Sequence, residues 1–245
     1  MRVLLIIPAY NEQEALGGVL SEIRALAIPL LEMVVVDDGS VDRTADVARA
    51  GGARVLRLCG NLGIGGAVQA GIRLARREGF DCAVQVDGDG QHPPGELARL
   101  IDAVRGANAP DLVVGTRYAD TTSFRSTAMR RLGSWWLRMI LRVVARVRVS
   151  DPTSGYRVYN RRALALFDEA YPYDFPEPES LALARVAGLA ITEVPVTMRE
   201  RQGGSSSIAG VAAAYYMLKV SAAIVLTYLR ARLRPRRKET IDEAR

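Results

Sequence analysis

The sequence holds one histidine, His92, two cysteines, Cys59 and Cys82, and two lysines, Lys219 and Lys238, among 245 residues. These scarcities exclude several chemistries. One His and two distant Cys cannot build a zinc site from nitrogen and sulfur ligands alone. A Ser-His-Asp triad would have to use His92. A Walker A loop needs Gly-Lys-Ser/Thr, and neither lysine sits in one. Schiff-base chemistry would have to use Lys219, which lies in an apolar run. Any metal is therefore expected to be held by oxygen ligands, as Mg²⁺ or Mn²⁺ is. The two cysteines read as small core residues of a reducing compartment. Aromatic residues make up only 6% of the chain and no nucleic-acid motif stands out, which speaks against a nucleic-acid-binding module.

Positive charge is concentrated in two segments that lack acid. Residues 124–148 carry seven Arg and residues 230–238 carry five Arg with Lys238, and neither segment contains an Asp or Glu. They contribute +13 to a formal net charge of +6, so the remainder sums to −7. The positive charge thus describes two patches on an acidic body.

The first half alternates short apolar runs with amphipathic stretches. Strands are expected at 3–7, 33–36, 54–58, 82–86 and 111–115, with helices over 12–27, from after Ser40 to about Ala50, from the Gly60–Gly66 loop to Arg77, and from Pro93-Pro94 onward. Asn11 and Glu14 have the spacing of a helix cap. The opening run stops at Pro8 and is too short for a secretory leader. This alternation predicts an α/β protein with a mostly parallel sheet covered by helices. Later come a loop at 151–157, a short strand and helix, a strand at 190–196, a polar loop at 199–207 and an apolar helix at 208–233.

Parallel sheets bind ligands beyond the carboxyl ends of their strands, and the polar clusters fall there: Tyr10-Asn11-Glu12, Asp37-Asp38, Asp87/Asp89/Gln91 and Thr116-Arg117. Two carboxylates separated by one glycine, Asp87 and Asp89, can both reach a hard cation bridging a pyrophosphate. Asp37 or Asp38 can accept from a nucleobase N–H, and Tyr10 can stack on the ring. The alternative is that Asn11 and Ser40 only cap helices. Gly63-x-Gly65 lacks the third glycine of a dinucleotide fingerprint, since position 68 is Val, so tight helix packing is the simpler use of those glycines. Arg117, Arg130/Arg131, Arg199 and Arg201 are phosphate candidates, and solvated surface arginine is the competing reading.

Pro8-Ala-Tyr-Asn-Glu12, Val36-Asp-Asp-Gly-Ser40, Asp87-Gly-Asp-Gly-Gln-His-Pro-Pro94, Gly115-Thr-Arg-Tyr118, Asp151-Pro-Thr-Ser-Gly-Tyr-Arg157 and Glu193-Val-Pro-Val196 occur in that order. As a set they resemble the dolichol-phosphate mannosyltransferase branch of the family 2 glycosyltransferases. The resemblance spans about residues 2–207. It implies a GT-A fold and an inverting, metal-dependent transfer from a GDP- or UDP-sugar to a polyprenyl phosphate. It implies that Pro8, Tyr10, Glu12, Asp37 and Asp38 hold the nucleotide and that Asp87, Asp89 and Gln91 hold Mg²⁺ or Mn²⁺ and the diphosphate. Arg117, Arg131, Arg199, Arg201 and Ser205 would meet donor or acceptor phosphates, and Asp151 would lie near the reacting centre with Asp89 and Arg117. A family 2 enzyme acting on a glycan or small acceptor is the rival reading.

Residues 127–148 read as an amphipathic helix in which Arg138, Arg142 and Arg146 form a stripe beside Trp135, Trp136, Met139 and Val143. That suits a helix on an anionic membrane, and equally a core-packed helix with a solvated basic face. Residues 208–229 are apolar but interrupted by Lys219, a weak candidate to span a bilayer. Many bacterial members of the resembling branch carry two clear membrane helices at this end. The expectation is a catalytic domain over 1–207, with 208–245 as an apolar helix and basic tail. That end would seat the enzyme peripherally on the cytoplasmic membrane face, or on a small membrane-protein partner.

Overall fold

A computed structural model describes residues 1–106, 108–117, 128–199 and 211–233, without the side chains of 128–131, 211–214 and 216. The strands are β1 (Val3–Ala9), β2 (Leu31–Asp37), β3 (Arg54–Arg57), β4 (Cys82–Gln85), β5 (Leu112–Thr116), β6 (Arg157–Asn160) and β7 (Ile191–Pro195). The helices are α1 (Leu16–Ala25), α2 (Thr44–Ala50), α3 (Gly63–Arg77), α4 (Leu97–Asp102), α5 (Ala128–Val144), α6 (Arg161–Glu169), α7 (Pro176–Val186) and α8 (Val211–Leu233). The strands form one sheet in the order β3-β2-β1-β4-β6-β5-β7. β6 runs antiparallel to β4 and β5, and the other pairs are parallel. The α/β class and the mostly parallel sheet agree with the sequence pattern.

All seven residues of β1 are buried, as expected for a parallel strand covered on both faces. Leu4 and Ile6 point into a core built with α3, α5, α6, α7 and α8, whereas Val3, Leu5 and Ile7 point into one built with α1, α2 and α4. α8 shares the first core through Val220 and Ile224, both without exposed surface. At the opposite end of the sheet from the strand-end acids, buried Asp111 accepts from Asn160, Arg162 and the Ala190 N–H, joining β5, α6 and β7. The antiparallel course of β6 matters most for function. It brings the loop before its amino end, 150–156, to the edge where the parallel strands present their carboxyl ends.

Several local expectations are corrected. α1 begins at Leu16 because Asn11 does not cap it. Asn11 instead takes a left-handed φ of 54° and its Oδ1 accepts from the Val41 N–H at 3.0 Å. Ser40 does not cap a helix either, since its Oγ accepts from the Asn11 N–H. α5 ends at Val144, and Arg146 sits in the following turn at φ 55°, so the three-arginine stripe breaks after Arg142. Residues 161–186 form two helices rather than one. Cys82 is buried as expected, whereas Cys59 is exposed.

The glycines at the start of α3 serve close packing. A Cβ on Gly65 would lie 2.4 Å from the Pro172 carbonyl oxygen and 2.6 Å from that of Tyr173. Both obstacles are backbone, so Gly65→Ala is expected to lower stability by about 2–3 kcal/mol. Gly18 in α1 has nothing within 4 Å of its would-be Cβ, and Gly18→Ala is expected to raise stability by about 0.5–1 kcal/mol. Urea unfolding of the two variants beside the wild type checks both signs.

Candidate active site

The loops after β1 and β2 are laced together by the side chains of their polar residues. The Glu12 N–H donates to Thr44 Oγ1 at 2.9 Å and the Gln13 N–H to Asp42 at 3.2 Å. This leaves Tyr10 at the surface, 46% exposed, while Pro8 lies buried within β1. The two acids at the end of β2 divide into different tasks. Asp38 accepts from the Leu62 and Gly63 N–H groups at 2.7 and 2.9 Å, where α3 begins with unpaired donors. Asp37 accepts from the Ser40 N–H through Oδ1, while its buried Oδ2 accepts no hydrogen bond. Arg57 Nε stands 3.2 Å from that oxygen as an ion pair without hydrogen-bond alignment. Of the pair, Asp37 is the one that keeps a carboxylate oxygen without a hydrogen bond, buried beside Arg57.

The turn after β4 is organised by the histidine. His92 Nδ1 accepts from the Asp87 N–H at 3.0 Å, which puts the ring proton on Nε2. The ring is 3% exposed and stacks on Tyr156 with centroids 4.8 Å apart. Tyr156 in turn donates to the Pro93 carbonyl. Burial pushes the His92 pKa down to about 4, against the pull of Asp89, so the ring is neutral and its 3.7 Å approach to Asp87 is no salt bridge. His92 is therefore a brace for the acid turn and has no access to a substrate. Asp89 accepts from the Gln91 N–H at 3.0 Å, closing the turn on itself. A Cβ on Gly155 would sit 3.0 and 3.1 Å from the Asp87 carboxylate oxygens, so the absent side chain keeps room for that carboxylate.

Arg117 and Asp151 meet across β5 and the loop before β6. Nε and one terminal nitrogen of Arg117 donate to the two Asp151 oxygens at 2.7 and 2.8 Å, a bidentate pair. Asp151 has no exposed surface and aligns Arg117. Arg199 is drawn elsewhere: its guanidinium pairs with Glu22 on α1, while its backbone N–H donates to the Gln91 carbonyl. Arg201, Ser205 and the side chain of Arg131 lie outside the described residues.

Three supporting residues escaped notice as site residues. Glu193 on β7 accepts from the Ser150 and Asp151 N–H groups at 2.8 and 3.0 Å and from the Ser150 hydroxyl. Arg157, fully buried, donates to the carbonyls of Ser154, Pro152 and Glu177 and to Ser180 Oγ. Burial raises the pKa of the Glu177 carboxyl; Arg157 opposes the shift and Asp87 adds to it. The signal for each was present: Glu193 and Arg157 lie inside motifs, and Glu177 follows a helix-starting proline.

Among the described residues, no three His, Cys, Asp or Glu converge as a self-sufficient metal cage. Asp87 and Asp89 nonetheless fit a Mg²⁺- or Mn²⁺-type ion, which is commonly held by one or two carboxylates and completed by substrate phosphates and water.

Residues 4–167 match glycosyl transferase family 2. The chain belongs to that family. Similar curated proteins include an undecaprenyl-phosphate mannosyltransferase of Micrococcus luteus, 38% identical over 86% of this chain and 88% of the relative. A polyprenol monophosphomannose synthase of Mycolicibacterium smegmatis is 35% identical over 90% and 86%. Among solved structures, a glucosyl-3-phosphoglycerate synthase of Mycobacterium tuberculosis, crystallised with Mn²⁺, UDP-glucose and phosphoglyceric acid, aligns with TM-score 0.69 at 20% identity. It covers 96% of this chain and 81% of its own, a likeness of fold. This glycosyltransferase therefore has the GT-A fold that its motifs imply.

Two outcomes test this construction. An unfolded chain carries His92 near its ordinary 6.5 and the folded one near 4, so below pH 6.5 unfolding takes up a proton. Stability from this residue falls as pH drops from about 6.5 toward 4, by about 1.4 kcal/mol per unit. Glu177 and Glu179, with raised values, contribute the opposite slope. The comparison with His92→Phe isolates the histidine: the wild type should lose about 2 kcal/mol relative to the variant between pH 6.5 and pH 5 in denaturant titrations. Separately, Glu193→Ala strands the Ser150 and Asp151 N–H groups and should cost about 2–3 kcal/mol, with Glu193→Gln costing less. Chemical unfolding of both variants reads this difference.

Proposed function

We propose that this family 2 glycosyltransferase moves a hexosyl group from a nucleotide-sugar to a polyprenyl phosphate, with inversion, at a membrane surface. The observation that carries the reading is the convergence of Asp37, Asp87, Asp89 and Arg117 at one sheet edge. The identity shared over most of the chain with polyprenyl-phosphate mannosyltransferases supports the acceptor class and makes mannose the first sugar to test.

The reaction needs little acid–base help. A phosphate oxygen of the acceptor forms a bond to the anomeric carbon from the face opposite the diphosphate. The bond to the diphosphate oxygen breaks, and that oxygen keeps the electron pair. An acceptor phosphate is already anionic near neutrality, so positioning and charge neutralisation carry the rate. Asp37 Oδ2 offers the base an acceptor and Tyr10 offers it a stacking surface. Asp87 and Asp89 are the groups that would hold Mg²⁺ or Mn²⁺ against the donor diphosphate, with Gln91 beside them. The bound ion supplies Lewis-acid stabilisation of the leaving diphosphate. Arg117, aligned by Asp151, offers its positive charge to phosphate at the same edge. His92 stays neutral and keeps the Asp87–Gln91 turn in shape.

No described helix is long and apolar enough to cross a membrane. A peripheral seat on the cytoplasmic face is consistent with the exposed apolar residues of α5 and α8, Trp135, Val143, Leu218 and Leu229 among them. On this proposal, residues 1–207 are the catalytic domain and 208–245 the segment that approaches the membrane or a small membrane-protein partner.

A panel of GDP- and UDP-sugars with Mg²⁺ or Mn²⁺ and undecaprenyl phosphate tests the reading, scored by product extracted into organic solvent. Lipid-extractable product is expected with one donor. Asp89→Ala should lower its formation at least about a hundredfold. Product confined to the aqueous phase with a small acceptor would contradict the acceptor class.

A further inference from the structure

Away from the strand-end acids, α5, the turn after it and the edge strand β7 line two adjoining open grooves of about 640 and 480 Å³. Both are lined by Arg142, Val147 and Arg148. The first adds Arg146 and Arg185 over Leu189 and Ile191. The second adds Arg138 between Trp135 and Met139.

Arg142, Arg146, Arg148 and Arg185 are exposed, and none is ion-paired with a described carboxylate. Arg138 Nε is buried and has no hydrogen-bond partner. The one acid lining the groove, Glu193, is committed to the Ser150 and Asp151 N–H groups. The chain also accepts a left-handed backbone at Arg146, where glycine would be unstrained, in the turn that carries Arg146 and Arg148 to the groove. Five guanidinium groups around one groove repel each other unless an anion joins them.

Exposed apolar residues continue from the groove along α5 and recur on the packed helix α8. Trp135, Met139 and Val143 are exposed along α5. α8 presents Leu218, Leu226 and Leu229, and the Trp136 Nε1–H donates to Ser221 Oγ to fasten the two helices. A phosphate alone, or a nucleic acid, would satisfy the arginines and leave these apolar residues bare. A phosphate headgroup with acyl chains would satisfy both.

We propose that this groove binds the headgroup of an anionic membrane phospholipid, with its chains against the exposed apolar residues of α5 and α8. This rests on the membrane-surface reading above and adds a specific lipid site to it. The groove lining includes none of Asp37, Asp87, Asp89 and Arg117, the residues assigned to the reacting groups. Ser150 and Glu193, which line the groove, are hydrogen-bonded to each other, and Glu193 also accepts from the N–H of buried Asp151.

The test is sedimentation of the full chain with phosphatidylcholine vesicles, with and without phosphatidylglycerol. Arg142→Glu/Arg148→Glu is compared with the wild type, and thermal melts show that the variant is folded. Binding should require phosphatidylglycerol and fall about tenfold or more in the variant. Inorganic phosphate at millimolar concentration should not compete. Equal binding of wild type and variant overturns the proposal, as does equal binding to vesicles without phosphatidylglycerol. So does competition by inorganic phosphate, or Arg-dependent binding of RNA without vesicle binding. Transfer to a short, water-soluble polyprenyl phosphate, assayed without vesicles, should be unchanged in the variant. Absence of transfer in the wild type would defeat the proposed reaction while leaving the vesicle result to judge the lipid site.

Discussion

A fully buried arginine is the constraint around which this site is built. Arg157 has no exposed surface and faces four neutral acceptors: the carbonyls of Pro152, Ser154 and Glu177, and Ser180 Oγ. Burying a charge this way costs several kcal/mol unless hydrogen bonds surround it. The arrangement is therefore stable only when β6, the loop before it and the first turn of α7 are all in place. That loop contains Gly155, which leaves room for the Asp87 carboxylate, and Tyr156, on which His92 stacks. The acid turn after β4 thus inherits its geometry from a guanidinium that never meets the substrate.

The second organising feature is the reversal of β6 within a parallel sheet. It brings the 150–156 loop to the edge that already carries the ends of β1, β2, β4 and β5. Asp151 can then align Arg117 by a bidentate pair, and Glu193 on β7 can anchor the same loop from the other side. On the proposed reading, this builds a cationic side and an acidic side into one edge. Such a division suits a reaction in which a polyanionic leaving diphosphate and an anionic acceptor must be neutralised together.

Much of this was legible in the sequence. The alternation of apolar runs and helices gave the α/β class, and the strand-end clusters lie together at one sheet edge, because a buried parallel strand leaves its polar residues only at its ends. The allocation of work within each cluster was not legible. Asp37 and Asp38 are chemically equivalent in the sequence, yet the start of α3 takes Asp38. Asn11 has the spacing of a helix cap but bonds across to Val41, a contact set by the meeting of two loops. Asp151 is placed near the reacting centre by the family resemblance, but its pairing with partners 34 and 42 residues away in the chain, Arg117 and Glu193, is invisible in the sequence. Arg138, Arg142 and Arg146 looked like one stripe, and the left-handed turn at Arg146 interrupts it.

On the proposed reading, the Asp87–Asp89 turn and a donor diphosphate make one divalent-metal site that neither completes alone. Calorimetric titration of GDP and of UDP into the protein, in Mn²⁺ and in a chelator, measures this directly. One nucleoside diphosphate should bind in Mn²⁺ and lose most of its affinity in the chelator, while Mn²⁺ without nucleotide binds weakly. Nucleotide binding of equal strength with and without the metal would contradict the account.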